Sequence, residues 1–112
     1  MIDWTRVTEL RDEIGGEDFA EVVSLFLQEA DEVVQNLPTR TDAKAIESAL
    51  HFLKGSALNL GFAGLAQLCQ EGERQAASGD PGVDVARVIA AYDASKAAFE
   101  TGLDRLAGSR AA

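Results

Sequence analysis

Apolar residues recur at three- and four-residue intervals along most of the chain, and short clusters of glycine, proline and polar residues interrupt them. The longest stripe consists of Phe19, Val22, Val23, Phe26, Ala30, Val33, Val34 and Leu37. This spacing places the apolar side chains on one face of an α-helix. No segment shows the sustained two-residue alternation of strands joined by hairpin turns. The sequence therefore predicts an all-α fold.

The interruptions divide the chain into one short helix and four longer ones. We predict helices over residues 5–14, 18–37, 42–60 and 63–78, and a fifth that begins near Asp80 or Asp84. Short connections between long helices favour antiparallel neighbours. The expected architecture is an antiparallel up-and-down four-helix bundle with a short extra N-terminal helix, formed by residues 1–112 as a single domain.

Local signals support three of these helix boundaries. Thr41 or Asp42 is the candidate N-cap of the third helix, and Gly61 is the candidate glycine that ends it. Pro81 suits the first turn of the fifth helix, because proline lacks the N–H that would be unpaired there.

Charge narrows the choice of partners. The formal net charge is −9, and a surface this negative repels nucleic-acid phosphates and anionic lipids. We expect neither nucleic acid nor a membrane as a partner.

The N-terminus lacks the basic and apolar regions of a signal peptide, and no apolar run is long enough to span a bilayer. The expected location is the cytoplasm, and the expected state is a monomer.

The segment "LHFLKGSALNLG", residues 50–61, contains the only histidine of the chain, His51. On a helical wheel at about 100° per residue, one broad arc lies opposite His51. That arc holds Ile46, Ala49, Leu50, Phe52, Leu53, Ala57 and Leu60. The face within about 60° of His51 includes Ser48, Lys54, Gly55 and Leu58. The third helix should therefore bury the apolar arc and expose His51 to solvent.

Three neighbours of His51 on this face suggest chemistry. A glycine inside a helix costs about 1 kcal/mol relative to alanine, so Gly55 suggests clearance for a partner or for a bulky group on the imidazole. Lys54 should disfavour protonation of the imidazole and keep a nucleophilic nitrogen free. Leu58, exposed beside them, indicates a docking patch. The alternatives are an incidental surface histidine, a tolerated glycine, and a lysine that contacts only Glu47, Leu50 or solvent.

Other site chemistries lack the necessary residues. His51 and the single cysteine, Cys69, lie on different helices and cannot supply a typical zinc site without carboxylates. Ser56 lies about 140° from His51 on the wheel, which does not support a Ser–His pair. The sequence has no glycine-rich nucleotide-binding loop and no identifiable carboxylate pair for a hydrolase. We expect no metal and no ATP-binding site. An exposed nucleophile beside a cation suits a carrier of a transferable group.

"HFLKGSALNLG" followed by "LAQLCQEGE" resembles the histidine-containing phosphotransfer (HPt) domain family of two-component phosphorelays, and "FAEVVSLFLQEADEVVQNL" resembles that family's first long bundle helix. The resemblance implies a four-helix bundle whose histidine accepts a phosphoryl group from a receiver-domain aspartate and passes it to another receiver. By position, His51 would be the phosphoacceptor, Lys54 the cation that neutralises the phosphate, and Gly55 the clearance residue. Ser48 and Leu58 would belong to the receiver-docking face.

The same resemblance implies which partners and cofactors to expect. The partners would be receiver domains of response regulators or of hybrid histidine kinases. The receiver would bring the Mg²⁺, so that this chain needs no cofactor of its own. The alternative is an adaptor of the same fold that binds receiver or kinase domains without carrying phosphate. Lys54 and Gly55 beside His51 favour phosphotransfer, because an adaptor has no use for this combination.

The fourth helix departs from the family's usual pattern. Gly72 stands where members commonly have an apolar residue before the glutamate matched by Glu73, which implies weaker packing of this helix. Ala77 stands near a place where many members carry a basic residue. Gln70 or Arg74 is the candidate to contact the phosphoryl group instead.

Overall fold

The computed structural model describes residues 2–111, with side chains described as far as Asp104. Its α-helices are α1 (Trp4–Ile14), α2 (Gly16–Asn36), α3 (Ala43–Leu60), α4 (Ala63–Ala77) and α5 (Val85–Ala111). A 3₁₀ turn at Leu37–Thr39 follows α2. Over this range there is no strand, and Ile2 forms one isolated antiparallel bridge with Phe62. The predicted all-α fold is confirmed.

Side-chain caps explain where α3 and α5 begin. The Asp42 carboxylate accepts a hydrogen bond from the Ala45 N–H at 2.8 Å, so Asp42 is the N-cap of α3. The Asp84 carboxylate accepts from the Arg87 N–H at 3.1 Å in the same way. The predicted first-turn position of Pro81 is wrong, because α5 begins only at Val85. Asp80 instead accepts from the Gly82 N–H at 2.8 Å, which holds this segment in a turn.

The core fixes the rotation of α3 about its axis. The most extensive helix interface joins α3 to α4, and Leu50, Leu53 and Leu60 of α3 are almost completely buried. Phe62, just beyond α3, is also fully buried and packs edge-on against Phe99 of α5, with ring centroids 5.4 Å apart. Burying one large apolar side chain contributes about 1.5–3 kcal/mol. Turning this face inward necessarily turns the opposite face of α3 towards solvent.

Phe52 is the exception on the predicted buried arc. Its side chain is 43% exposed, so the expectation that the core covers it is wrong. On the wheel Phe52 lies about 100° from His51, at the margin of the arc. The neighbouring helices bury the centre of the arc and cover its margin only partly.

Gly72 is buried in the middle of α4. A Cβ at this position would lie 2.7 Å from Leu50 Cδ1 and 3.0 Å from Val83 Cγ1. The expectation of weaker packing is therefore wrong, because these neighbours already fill the space that a larger residue would occupy.

None of the helices in the described part of the chain combines the length and the apolar composition that a membrane span requires.

Gly61 ends α3 in the left-handed conformation with φ +77°, as the sequence predicts. The Asp3 N–H donates to the Gly61 carbonyl at 2.7 Å, and a Cβ at Gly61 would lie 2.7 Å from the Asp3 carbonyl oxygen. A side chain at Gly61 would therefore meet rigid backbone and also strain its own conformation. The N-terminal segment is tied to the end of α3 through this contact.

We expect Gly61→Ala to lower the free energy of unfolding by about 1–3 kcal/mol, because it combines an unfavourable φ with a backbone clash. Gly64→Ala is the matched control, since Gly64 lies exposed in α4 with nothing within 4 Å of its Cβ position. That change should leave the free energy of unfolding unchanged or raise it by up to about 1 kcal/mol. Urea unfolding followed by circular dichroism measures both. Equal effects of the two changes would contradict this description of Gly61.

Candidate functional site

His51 projects from the middle of α3 into solvent. Its side chain is 70% exposed, whereas Leu50 and Leu53 on either side are 0% and 1% exposed. The predicted exposure of His51 is confirmed. The core on the opposite face of α3 holds the imidazole in place without covering it.

A carboxylate from α4 joins the two polar residues of this face. His51 Nδ1 lies 2.9 Å from Glu73 Oε2, and Lys54 Nζ lies 3.0 Å from Glu73 Oε1. The side chains of Glu73 and Lys54 are only 21% and 25% exposed, and Oε1 itself is shielded from solvent. The carboxylate therefore bridges α3 and α4 in a partly desolvated position.

The charge of Glu73 determines where the imidazole carries its proton. Partial burial raises the pKa of Glu73, but the pairing with Lys54 and His51 outweighs it and holds that pKa below its usual value. The group is thus ionised at neutral pH and can only accept hydrogen bonds. Nδ1 must therefore donate to Glu73, and in the neutral ring the free lone pair is on Nε2. The site presents an exposed nucleophilic nitrogen.

Lys54 reaches the carboxylate that also contacts His51. Its ammonium contacts the Glu73 carboxylate, and the hydrogen bond from His51 to Glu73 fixes the free ring nitrogen. A partly buried carboxylate requires a compensating partner, and Lys54 provides it. The lysine thus influences His51 through the shared carboxylate.

Sequence reasoning missed the role of Glu73, although a signal for it exists. Glu73 lies four residues after Cys69 and three before Ala76, and both of these are buried. It therefore belongs to the apolar stripe of α4, where an unpaired acidic residue is unfavourable. Glu71 lies off this stripe and is exposed. An acidic residue in an apolar stripe predicts a charged partner on the neighbouring helix.

The remaining residues of the predicted site lie around His51 with different exposures. Gly55 is exposed, and a Cβ there would meet nothing within 4 Å, so the space one turn from His51 is open. Leu58 is 57% exposed. Ser48 is exposed and lines a shallow depression with Glu47, His51 and Glu73.

Gln70 and Arg74, the candidates on the fourth helix, are both exposed on α4. Glu73 is the α4 side chain that the structure places against His51.

Two further site chemistries receive no support from the described residues. Cys69 is fully buried, and burial together with the nearby charge of Glu73 raises the pKa of its thiol to about 12. It therefore stays protonated at neutral pH and is a poor nucleophile. Within the part of the chain that the structure describes, no group of three His, Cys, Asp or Glu side chains is arranged to hold a metal ion.

Comparison with known families identifies the class of protein. The model of the Hpt domain family matches residues 21–109, which covers all of α3 and α4. The chain belongs to the Hpt domain family, and its function is histidine phosphotransfer in two-component phosphorelays, in which Hpt domains work with receiver domains. Neither the curated proteins nor the solved structures give a significant match.

The lowered pKa of Glu73 predicts how Glu73→Gln changes stability with pH. The ionised carboxylate stabilises the native state, and this contribution is complete above the unfolded-state pKa, about 4.3. It is lost as the pH falls through the lower native pKa. We expect the variant to be about 1 kcal/mol less stable at pH 7, with the difference disappearing in acid. Urea unfolding at a series of pH values measures it.

Glu71→Gln removes the same charge from an exposed position on the same helix and serves as the control. It should change the free energy of unfolding by less than about 0.5 kcal/mol at any of these pH values. Indistinguishable pH profiles for the two variants would show that the pairing of Glu73 does not stabilise the fold.

Proposed function

We propose that His51 is the phosphoacceptor of this Hpt domain, which receives a phosphoryl group from the aspartate of one receiver domain and passes it to that of another. The observation that carries the proposal is the 2.9 Å hydrogen bond between Nδ1 and Glu73. It leaves the lone pair on Nε2, in a side chain that is 70% exposed.

The proposed transfer needs few protein groups. The Nε2 lone pair forms the N–P bond as the O–P bond of the aspartyl phosphate breaks, and the aspartate carboxylate leaves with that electron pair. The Nδ1 proton stays hydrogen-bonded to Glu73, whose negative charge stabilises the positive charge gained by the ring. Onward transfer is the same exchange in reverse, with the second receiver's aspartate as nucleophile. Positioning and charge neutralisation are most of what phosphoryl transfer requires.

Lys54 is the proposed counter-charge for the phosphoryl group. A phosphoryl group carries roughly two negative charges near neutral pH. The attraction between two unit charges about 4 Å apart is about 1 kcal/mol in water and about 4 kcal/mol near a protein surface. Lys54 is one turn along α3 from His51 and already sits beside the Glu73 carboxylate at 3.0 Å. Its flexible stem allows the ammonium to serve both anions.

The exposed face around His51 is the proposed docking surface for the receiver. Leu58 offers an apolar side chain, and Ser48 lines the depression beside the imidazole. Gly55 leaves the space beside His51 open. The Mg²⁺ of the reaction would come with the receiver. This chain would provide only the nucleophile and its charged neighbours.

We further infer that α2 to α5 form an antiparallel up-and-down four-helix bundle, with α1 as an additional helix and residues 1–112 as one domain. Support comes from the short connections between successive helices and from contacts between α2 and α5. Asp31 of α2 pairs with Lys96 of α5 at 3.0 Å. The Tyr92 hydroxyl donates to the Leu27 carbonyl at 3.3 Å.

A transfer assay with His51→Gln tests the proposal. A purified receiver domain is phosphorylated with radiolabelled acetyl phosphate and mixed with the domain. The wild-type protein should acquire acid-labile, alkali-stable label, and the variant should acquire none, because glutamine lacks the nucleophilic nitrogen. Equal labelling of the two proteins would contradict the proposal. Receiver binding without labelling of the wild type would favour an adaptor.

Gly55→Ala tests the clearance beside His51. The change should raise the free energy of unfolding by about 0.5–1 kcal/mol, since alanine is the better helix former and nothing crowds it. It should nevertheless slow transfer from the receiver about tenfold, because the new methyl group displaces the docked partner from the reactive geometry. The rate of label transfer and urea unfolding measure the two effects.

Gly64→Ala is the control, because it makes the same chemical change at an exposed position of α4 with open space around it. Its transfer rate should equal that of the wild-type protein. A wild-type rate for Gly55→Ala would show that the receiver does not approach this position closely.

A further inference from the structure

Two neighbouring pairs of residues connect α3 and α4 at the level of the site. Glu73 contacts His51 at the surface, and the residues that directly precede them, Gly72 and Leu50, contact each other in the core. A Cβ on Gly72 would lie 2.7 Å from Leu50 Cδ1, closer than side chains pack in folded proteins. A side chain at Gly72 would thus require Leu50 or one of the two helices to move.

We propose that Gly72 is a positioning residue for His51: its missing side chain lets α4 approach α3 closely enough for the Glu73 carboxylate to reach the imidazole. The inference rests on the proposed role of His51 as the phosphoacceptor. Gly72 touches neither the reacting atoms nor the receiver, and it acts through Glu73.

Leu50 has little freedom to accommodate a larger neighbour. Its side chain is 0% exposed, so Cδ1 cannot move aside into solvent, and added volume in a close-packed interior displaces the surrounding structure. Val83, whose Cγ1 would lie 3.0 Å from a Cβ at position 72, is half-buried in the connection between α4 and α5 and can move aside more easily. The contact with Leu50 therefore controls the spacing between α3 and α4.

A small increase in this spacing is enough to change the site. The bond between His51 Nδ1 and Glu73 Oε2 is 2.9 Å long, and hydrogen bonds weaken sharply beyond about 3.5 Å. Once α4 moves outward far enough to lengthen this bond beyond about 3.5 Å, the carboxylate no longer holds Nδ1–H. The neutral imidazole then populates both tautomers, and a smaller fraction presents its lone pair at Nε2.

The tautomer of His51 and the rate of transfer together test this role. We expect Gly72→Ala to move the imidazole ¹⁵N chemical shifts away from those of an Nδ1–H ring and to slow transfer from a phosphorylated receiver about tenfold. Adding Leu50→Val removes the atom that the new methyl group would meet and should restore both the shifts and the rate. Adding Val83→Ala instead relieves only the other contact and should restore neither.

Wild-type ¹⁵N shifts in Gly72→Ala would overturn the inference. It would also be overturned if adding Val83→Ala restored the shifts and the transfer rate while adding Leu50→Val did not. If the single variant does not fold, the two double variants decide, because only the one with Leu50→Val should show the Nδ1–H ring. A wild-type domain that takes up no label at His51 would overturn the proposed function instead. The ¹⁵N measurement on the unphosphorylated protein distinguishes that failure from a failure of the role of Gly72.

Discussion

The carboxylate of Glu73 is the contact on which the organisation of the site depends. One oxygen lies 2.9 Å from the imidazole of His51, and the other lies 3.0 Å from the ammonium of Lys54. Through the first contact the carboxylate selects the ring nitrogen that carries a proton. Through the second it holds a cation beside the proposed phosphoacceptor. Both contacts join α4 to α3, so the surroundings of the exposed imidazole depend on how these two helices pack.

This arrangement links the stability of the fold to its chemistry. Partial burial acts to raise the pKa of Glu73. The pairing with Lys54 and His51 reverses that effect and holds the pKa below its usual value. The lysine therefore has a structural role of its own, because it favours the charged form of the carboxylate that contacts His51.

Local signals predicted much of the fold, whereas the decisive contact of the site depends on tertiary packing. The apolar spacing and the interruptions between the stripes located all five helices, and the roles of Asp42 and Gly61 follow from short-range capping chemistry. The first-turn position predicted for Pro81 was wrong because the turn at Asp80 competes with helix formation. The burial predicted for Phe52 was wrong because the margin of a helix face is buried only where a neighbouring helix covers it. Glu73 was missed as a partner of His51 because the rotation of α4 against α3 determines which side chain faces the imidazole. The exposure of His51 follows from the apolar periodicity of α3, and the helical wheel predicted it.

The position of the phosphoryl group on the imidazole decides whether the contact with Glu73 selects the nitrogen of His51 that reacts. The domain is phosphorylated by a receiver, and ¹⁵N chemical shifts and couplings between ¹⁵N and ³¹P then identify the modified nitrogen. We expect one phosphoryl group on Nε2 of His51, with the proton retained on Nδ1 beside Glu73. Phosphorylation at Nδ1 or at another residue would contradict it.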